Sequence, residues 1–264
     1  EDVNKLPNMG FKKYSCDINN TYSDIIKIPA YFLDVDDLAL LLNVENFSMI
    51  PVIENTLRLV YIFTSNDENI KAYQNNIIAS TIQDILSSGR TSTQLRDQIT
   101  AVLSKYHTDE LSLDSIISQP GYDRTLRQCL LIDNQGKINA MNLIIDYLSN
   151  FTQLNLDKIE LKKGFIYTLE DVYNALEFSL INEGILSSNA TFDKLNVLKV
   201  RLRSILNSNH KKIFEYDGKI SKEEYVKKFF LNNDGTPCQI VDINFDSLDE
   251  RMSKTLTKIF SKLF

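Results

Sequence analysis

Cys238-Gln-Ile-Val-Asp-Ile-Asn-Phe245, followed by Asp246-Ser-Leu-Asp-Glu250, decides the fold. Cys238, Ile240, Val241, Ile243 and Phe245 form a nearly continuous apolar run behind turn signals at Asp234-Gly235 and Pro237. That is the pattern of a short strand buried on both faces. A helix is predicted directly after it. Ser247 and Glu250 have the S-x-x-E spacing of a capping box, in which each side chain satisfies an orphan backbone N–H. Leu248, Met252, Leu256, Ile259, Phe260 and Leu263 then keep one apolar stripe as far as Phe264, without a stop signal. A buried strand that feeds a helix needs parallel neighbours, so the expectation is a piece of a larger α/β protein, which Glu1 in place of an initiator Met also fits.

Working outward, the remaining pattern is mainly α with a few strands. Phe11 to Asp17 reads as a strand, and Ile26 to Leu33 as an extended segment, because Ile28 precedes Pro29 and is pushed out of the helical region. Asp34 caps a short helix carrying Leu38, Leu41 and Leu42. From Phe47 to Ser118 the periodicity is helical almost throughout: one helix marked by Ile53, Leu57, Leu59, Val60 and Phe63, a second by Ile70 to Ile85 and ended by Gly89, and a third opened by Thr91 or Ser92. The turn Asp133-Asn-Gln-Gly136 suggests a small hairpin or a helix break. Ala140 to Leu148 is helical again. The clearest helix start has Thr168 as N-cap, Asp171 at N3 and Tyr167 stapled onto Val172, with the helix running to Gly184. Phe192, Leu195, Leu198, Leu202, Ile205 and Leu206 mark a further amphipathic helix, and Ser221 with Glu224 opens another. No repeat at a fixed period is evident.

Composition narrows the class. Of 264 residues, 43% are apolar and 24% charged, ordinary values for a globular chain with length for a core. The 29 basic and 35 acidic side chains give a net charge of −6, so no global field draws the chain to nucleic acid or to an anionic membrane. Eight glycines and five prolines, spread out, argue for long helices over sandwiches or low-complexity linkers. No run approaches the roughly 18 apolar residues of a membrane span, and a cytoplasmic location is expected. Cys16, Cys129 and Cys238 are odd in number, far apart and set in apolar stretches, which reads as reduced structural thiols.

Two end segments resemble the HerA-type ATPases, the bacterial and archaeal relatives of FtsK. The stretch from Ile25 to Leu42, IIKIPAYFLDVDDLALLL, resembles the segment that follows the strand after the P-loop in that family. Tyr167-Thr-Leu-Glu-Asp171, Phe192-Asp-Lys-Leu195 with Arg201-Leu-Arg203, and Gln239 to Arg251 resemble, in that order, the segments leading to its Walker B strand. The resemblance implies a helical insertion domain (46–237) flanked by two fragments of a RecA-like α/β core (1–45 and 238–264). It implies a parent protein that is a P-loop NTPase using ATP and Mg²⁺, a homo-hexameric DNA translocase or helicase acting in DNA repair or anti-phage defence with a nuclease or other effector, and no membrane partner. The ATPase of a conjugation or secretion system shares that architecture and is an alternative. A non-catalytic helical protein- or DNA-binding module is another, from a different class.

The nucleotide motifs themselves are missing. Gly136-Lys137 and Gly218-Lys219 have neither the upstream glycine nor the following Ser or Thr of a G-x-x-x-x-G-K-[ST] loop and read as turns. Asp242 ends an apolar run like a Walker B aspartate, but Ile243-Asn244 follows where a second carboxylate is needed. This chain alone is therefore expected to be non-catalytic, with no cofactor or metal of its own. Asp34, Asp36 and Asp37 have ligand chemistry for a divalent ion but read as helix-capping and first-turn charges. The sequence from Asp133 to Asn139 only superficially resembles a calcium loop. His107 and His210, the only histidines, show no metal or Cys-His spacing. The candidate contact surface is the basic run Lys194, Lys199, Arg201, Arg203, Lys211 and Lys212, together with His210. Lys194 and Arg201 lie seven residues apart on one side of their helix. Such a group suits DNA phosphates or acidic residues of a neighbouring subunit, and its alternative is a solvated helix face.

Overall fold

The computed structural model describes residues 10–44, 46–154, 159, 164–186, 189–232 and 234–264, with the side chains at 182–186, 189–191, 194 and 195 outside the description. The chain is mainly helical, with two small sheets among the described residues. It divides into two units. The first comprises Glu1–Val60, Leu161–Ser179 and Asp193–Phe264, the second Tyr61–Glu160 and Leu180–Phe192. The first unit thus gathers both ends of the chain together with part of the stretch 46–237.

In the first unit, β1 (Phe11–Ser15) pairs in parallel with β2 (Asp24–Ile25) on one side and with β5 (Ile240–Asn244) on the other. The register runs from Phe11 opposite Ile240 to Ser15 opposite Asn244. The parallel neighbour that β5 demands is therefore the first strand of the same chain. Gly10 begins the pairing by close approach: its carbonyl accepts from the N–H groups of Gln239 and Ile240 at 2.9 and 3.2 Å. A Cβ there would lie 2.8 Å from the Pro237 carbonyl oxygen.

β5 differs from the expected doubly buried strand. Its residues are half-buried, Asp242 is exposed, and among the described strands it has a neighbour on one side only. An apolar run of this length cannot distinguish an edge strand from a central one, because the distinction is made by the neighbours. The helix after it, α10 (Glu250–Leu263), is capped by Asp249, which accepts from the Met252 N–H at 2.7 Å. The cap is thus two residues beyond the predicted Ser247, because Asp246 to Leu248 form a turn first. The stripe is as expected, with Met252, Leu256, Ile259 and Phe260 buried.

α10 packs against α1 (Val35–Leu41). Leu38 and Leu41 are fully buried, and Asp34 is the N-cap as the sequence predicts. Of the extended segment before it, Ala30–Phe32 instead forms a 3-10 turn. The first unit also holds α7 (Leu169–Leu186) up to Ser179, α8 (Asn189–Leu206) from Asp193 onward, a 3-10 segment at Asn209–Phe214 and α9 (Lys222–Phe229). Thr168 and Asp171 exchange their hydrogen bonds at the start of α7, and Ser221 and Glu224 do so at α9. An aromatic chain ties sheet to helices: Tyr14 stacks on Phe229 at 4.3 Å, and Phe229 meets Phe260 of α10 at 5.7 Å.

The second unit holds α3 (Glu68–Ser87), which packs against α4 (Ser92–Tyr106) and α6 (Met141–Ser149), with the short α5 (Leu126–Cys129) beside α6. α2 (Ile50–Thr64) crosses the boundary between the units at Val60–Tyr61. Gly89, at φ +70°, follows α3, and Thr91 opens α4 in a capping box with Gln94. The predicted helicity as far as Ser118 is corrected by an antiparallel hairpin, β3 (Ile116–Gln119) and β4 (Tyr122–Thr125), which turns at Pro120-Gly121 with Gly121 at φ +92°. The next turn, at Asp133 to Gly136, closes a single bridge between Ile132 and Ile138. Its hairpin form comes from Asp133, whose carboxylate accepts from the N–H groups of Gln135 and Lys137.

Candidate functional site

The basic run does not form one open cationic face. Lys199 is paired with Glu177 of α7 at 2.5 Å. Lys211 bridges Glu170 at 2.7 Å and Glu215 at 3.2 Å, and these carboxylates hold its ammonium above the usual lysine range. Arg201 reaches out of α8 to the C-terminal end of α1, where its guanidinium donates to the carbonyls of Leu42 at 3.0 Å and Asn43 at 2.6 Å. Arg203 and Lys212 are exposed, and their side chains have no hydrogen-bond or ion-pair partner among the described residues. The side chain of Lys194 lies outside the described ones.

Arg201 completes an end structure that the sequence only half announces. Asn43 stands at φ +53°, its N–H bonds to the Leu40 carbonyl and the Val44 N–H to the Ala39 carbonyl. This is a Schellman ending, with Asn tolerated at the left-handed position. The last carbonyls of α1 still carry the negative end of its dipole, which a guanidinium complements.

At the other end of α1, two of the three aspartates, Asp34 and Asp37, form an ion-paired cap, while Asp36 is exposed. Asp34 and Asp37 accept from each other's backbone N–H groups at 3.0 and 3.1 Å. Lys262 of α10 donates to Asp34 at 2.6 Å and to Asp37 at 2.8 Å, with Lys258 3.8 Å from Asp37. The ligand oxygens a divalent ion would need are thus already turned to ammonium groups and N–H donors. Among the described residues no cluster of His, Cys, Asp or Glu suits a metal ion. Tyr167 lies nearby, its hydroxyl donating to the Leu33 carbonyl, and burial pushes its pKa up.

The nucleotide-binding features of a P-loop protein do not fit these residues. Gly136 and Gly218 occupy left-handed turn positions at φ +76° and +86°. Asp242 faces Lys13 across the β1–β5 ladder at 4.0 Å. Neither Gly-Lys pair therefore forms a P-loop cradle for magnesium-bound ATP, and Asp242 is turned to a lysine. His107 follows α4 as its C-cap, and the His210 N–H donates to the Ser208 hydroxyl that caps the 3-10 segment. Cys16, Cys129 and Cys238 are free and buried, and burial pushes the Cys16 thiol up to about 12.

A second feature of the first unit is not readable from spacing. Lys12 and Tyr14 of β1, Asp24 to Lys27, Tyr216, Asp217 and, from α9, Tyr225, Lys228 and Phe229 line one cleft of ≈ 320 Å³. These residues come from two distant parts of the sequence, 12–27 and 216–229, and only the fold brings them together. The sole local signal is the alternation of Lys12 and Tyr14 on one strand face.

A search against protein-family models finds none that matches the chain, and no curated protein is similar enough to be counted a relative. No described helix is long and apolar enough to cross a membrane.

Proposed function

We propose that this chain is the helical domain of a HerA-type P-loop ATPase together with flanking segments of its RecA-like core. The parent protein would be a hexameric, ATP-driven DNA translocase that works with a nuclease or another effector in DNA repair or anti-phage defence. The observation that carries this reading is the parallel pairing of β1 with β5. Strands from the two ends of a largely helical chain lie side by side in one sheet, the arrangement required when a helical insertion interrupts an α/β core. That β5 has a neighbour on one side only among the described strands supports it further, since small all-parallel sheets are normally continued and covered. ATP and Mg²⁺ belong, in this reading, to parts of the parent protein beyond this chain.

The test is the reading frame and its product. A P-loop upstream and an apolar strand ending in two carboxylates downstream are expected, and the complete product should hydrolyse ATP faster with DNA and sediment as a hexamer. A complete product without a P-loop, or one inert to ATP, overturns the proposal. Arg203 and Lys212, exposed and without described partners, favour a second reading, a nucleic-acid-binding module without ATPase activity. Weak DNA binding that falls steeply with salt and disappears in Arg203→Glu with Lys212→Glu supports it.

A further inference from the structure

The cleft between the sheet and α9 has a floor, a wall and a rim of different chemistry. Tyr14 forms the floor, one face of its ring stacked on Phe229 and the Lys12 ammonium 5.0 Å from its centroid. Burial pushes the hydroxyls of Tyr14 and Tyr225 well above the usual range, so both remain neutral donors, to the Phe229 and Lys27 carbonyls respectively. Ile25 and Ile26 form the wall. Tyr216, Asp217 and Lys228 stand at the rim. The volume of ≈ 320 Å³ is that of a small-ligand site, for which roughly 300–1,000 Å³ is usual.

Three ammonium groups line this one cleft, and they are held to different degrees. Lys12 donates to the Leu231 carbonyl at 2.9 Å and lies 3.9 Å from Asp24. Lys27 is 2.7 Å from Asp217, whose side chain is 90% exposed, so their pairing is a weak surface contact that an incoming anion can displace. Lys228 has no carboxylate within ion-pair distance among the described residues; it donates to the Tyr216 hydroxyl at 3.5 Å, its ammonium 5.8 Å from the centroid of that ring. Tyr216 is half-buried and meets Tyr225 edge-on at 5.8 Å, which leaves an aromatic surface at the rim beside that ammonium.

Cations that can be released to an anion, next to a half-buried aromatic ring, form a site for a phosphate attached to a planar base. We propose that this cleft binds a nucleotide unit, its phosphate on Lys27 and Lys228 and its base against Tyr216. The unit has two sources, a free nucleotide or one residue of a single-stranded nucleic acid. An adjoining cleft, which shares Lys12 and Asp24 and adds Lys13 and Tyr22, gives a strand a path to follow. The inference stands apart from the ATPase reading, whose nucleotide site lies outside these residues, and each can fail without the other.

The experiment is a titration of the protein at low salt with ADP, pyrophosphate and a fluorescent oligothymidylate, read by calorimetry and anisotropy. Lys228→Met should weaken binding about tenfold, the equivalent of one charge-assisted hydrogen bond. Tyr216→Ala should weaken ADP and oligothymidylate but not pyrophosphate. Asp217→Asn should tighten binding, because the phosphate then has no competitor for Lys27. That gain of function cannot come from misfolding, and circular dichroism checks the other two variants. Saturation by ADP assigns the site to free nucleotides; saturation by the oligothymidylate alone assigns it to a strand. No binding of either at millimolar concentration, or binding indifferent to both Lys228→Met and Asp217→Asn, overturns the proposal.

Discussion

Asp37 is a carboxylate only 2% exposed, and its closest ammonium is on another element, Lys262 at 2.8 Å. Lys262→Met leaves that buried charge with the Asp34 N–H and, as its described ammonium, the more distant Lys258. Because the Lys262 side chain is itself 38% exposed, the loss is smaller than for a fully buried pair, about 1–2 kcal/mol in urea unfolding. Asp34 sets the pH dependence of the same cluster. Burial opposes its charge, but the hydrogen bonds from Lys262 and from Asp37 outweigh that, and its carboxyl lies below its ordinary 3.8. A depressed carboxylate stabilises the fold above its unfolded pKa and loses that contribution as pH falls through the folded one. Stability should therefore decline as pH drops below about 4, less steeply in Lys262→Met. Arg201 makes the complementary case. Arg201→Ala removes two hydrogen bonds to the end of α1 and should cost about 1–2 kcal/mol, whereas Arg203→Ala and Lys212→Ala should stay within about 0.5 kcal/mol. Equal effects from all three would mean that Arg201 is not a cap.

Helix starts are largely legible in the sequence because a cap is a local device: Asp34, Thr168 and Ser221 cap as predicted, and of Thr91 and Ser92 it is Thr91 that caps. Where two caps compete within a few residues, spacing alone does not choose. Ser247 and Asp249 are such a pair, and the turn after β5 selects the second. Asp249→Ala should cost about 1 kcal/mol and Ser247→Ala close to nothing, measured by thermal unfolding; the reverse order would restore the cap predicted from Ser247-x-x-Glu250. The hairpin β3–β4 escapes a reading by periodicity for another reason. Ile116 and Ile117 follow Leu111 and Leu113 at intervals that a helix also produces, and the Pro120-Gly121 turn is the signal that separates them. Partners on other elements leave no trace in a single sequence. Glu177 for Lys199, Glu170 for Lys211 and the α1 carbonyls for Arg201 give three members of the basic run, read as one surface, separate structural contacts.

For the chain as a whole, the β1–β5 ladder joins residues more than two hundred positions apart, as the hydrogen bond from the Gly10 N–H to the Gln239 side chain illustrates. The sequence announces each strand but not that one is the partner of the other, since a parallel pairing has no turn to mark it. The cysteines make this ladder measurable. Cys16 and Cys238 flank it in the first unit and Cys129 lies in the second, and all three are buried and free. Each therefore reacts with a thiol reagent only when its surroundings open, and for Cys16 the raised thiol pKa slows the reaction further. Gly10→Ala places a Cβ 2.8 Å from the Pro237 carbonyl oxygen and 2.9 Å from the Cys238 Cα, backbone atoms that cannot turn aside. Overpacking of this kind costs about 1–3 kcal/mol. If the ladder holds the first unit together, labelling followed by mass spectrometry should show Cys16 and Cys238 reacting roughly five- to a hundredfold faster in this variant, the same free energy expressed as an opening equilibrium. Cys129, read in the same spectrum, distinguishes the scope of the opening: acceleration by the same factor means that the chain opens as one, and an unchanged rate means that the opening is confined to the first unit. Unchanged labelling at Cys16 and Cys238 would mean that β1 and β5 do not need this close approach, and the pairing of the two ends would lose its structural role.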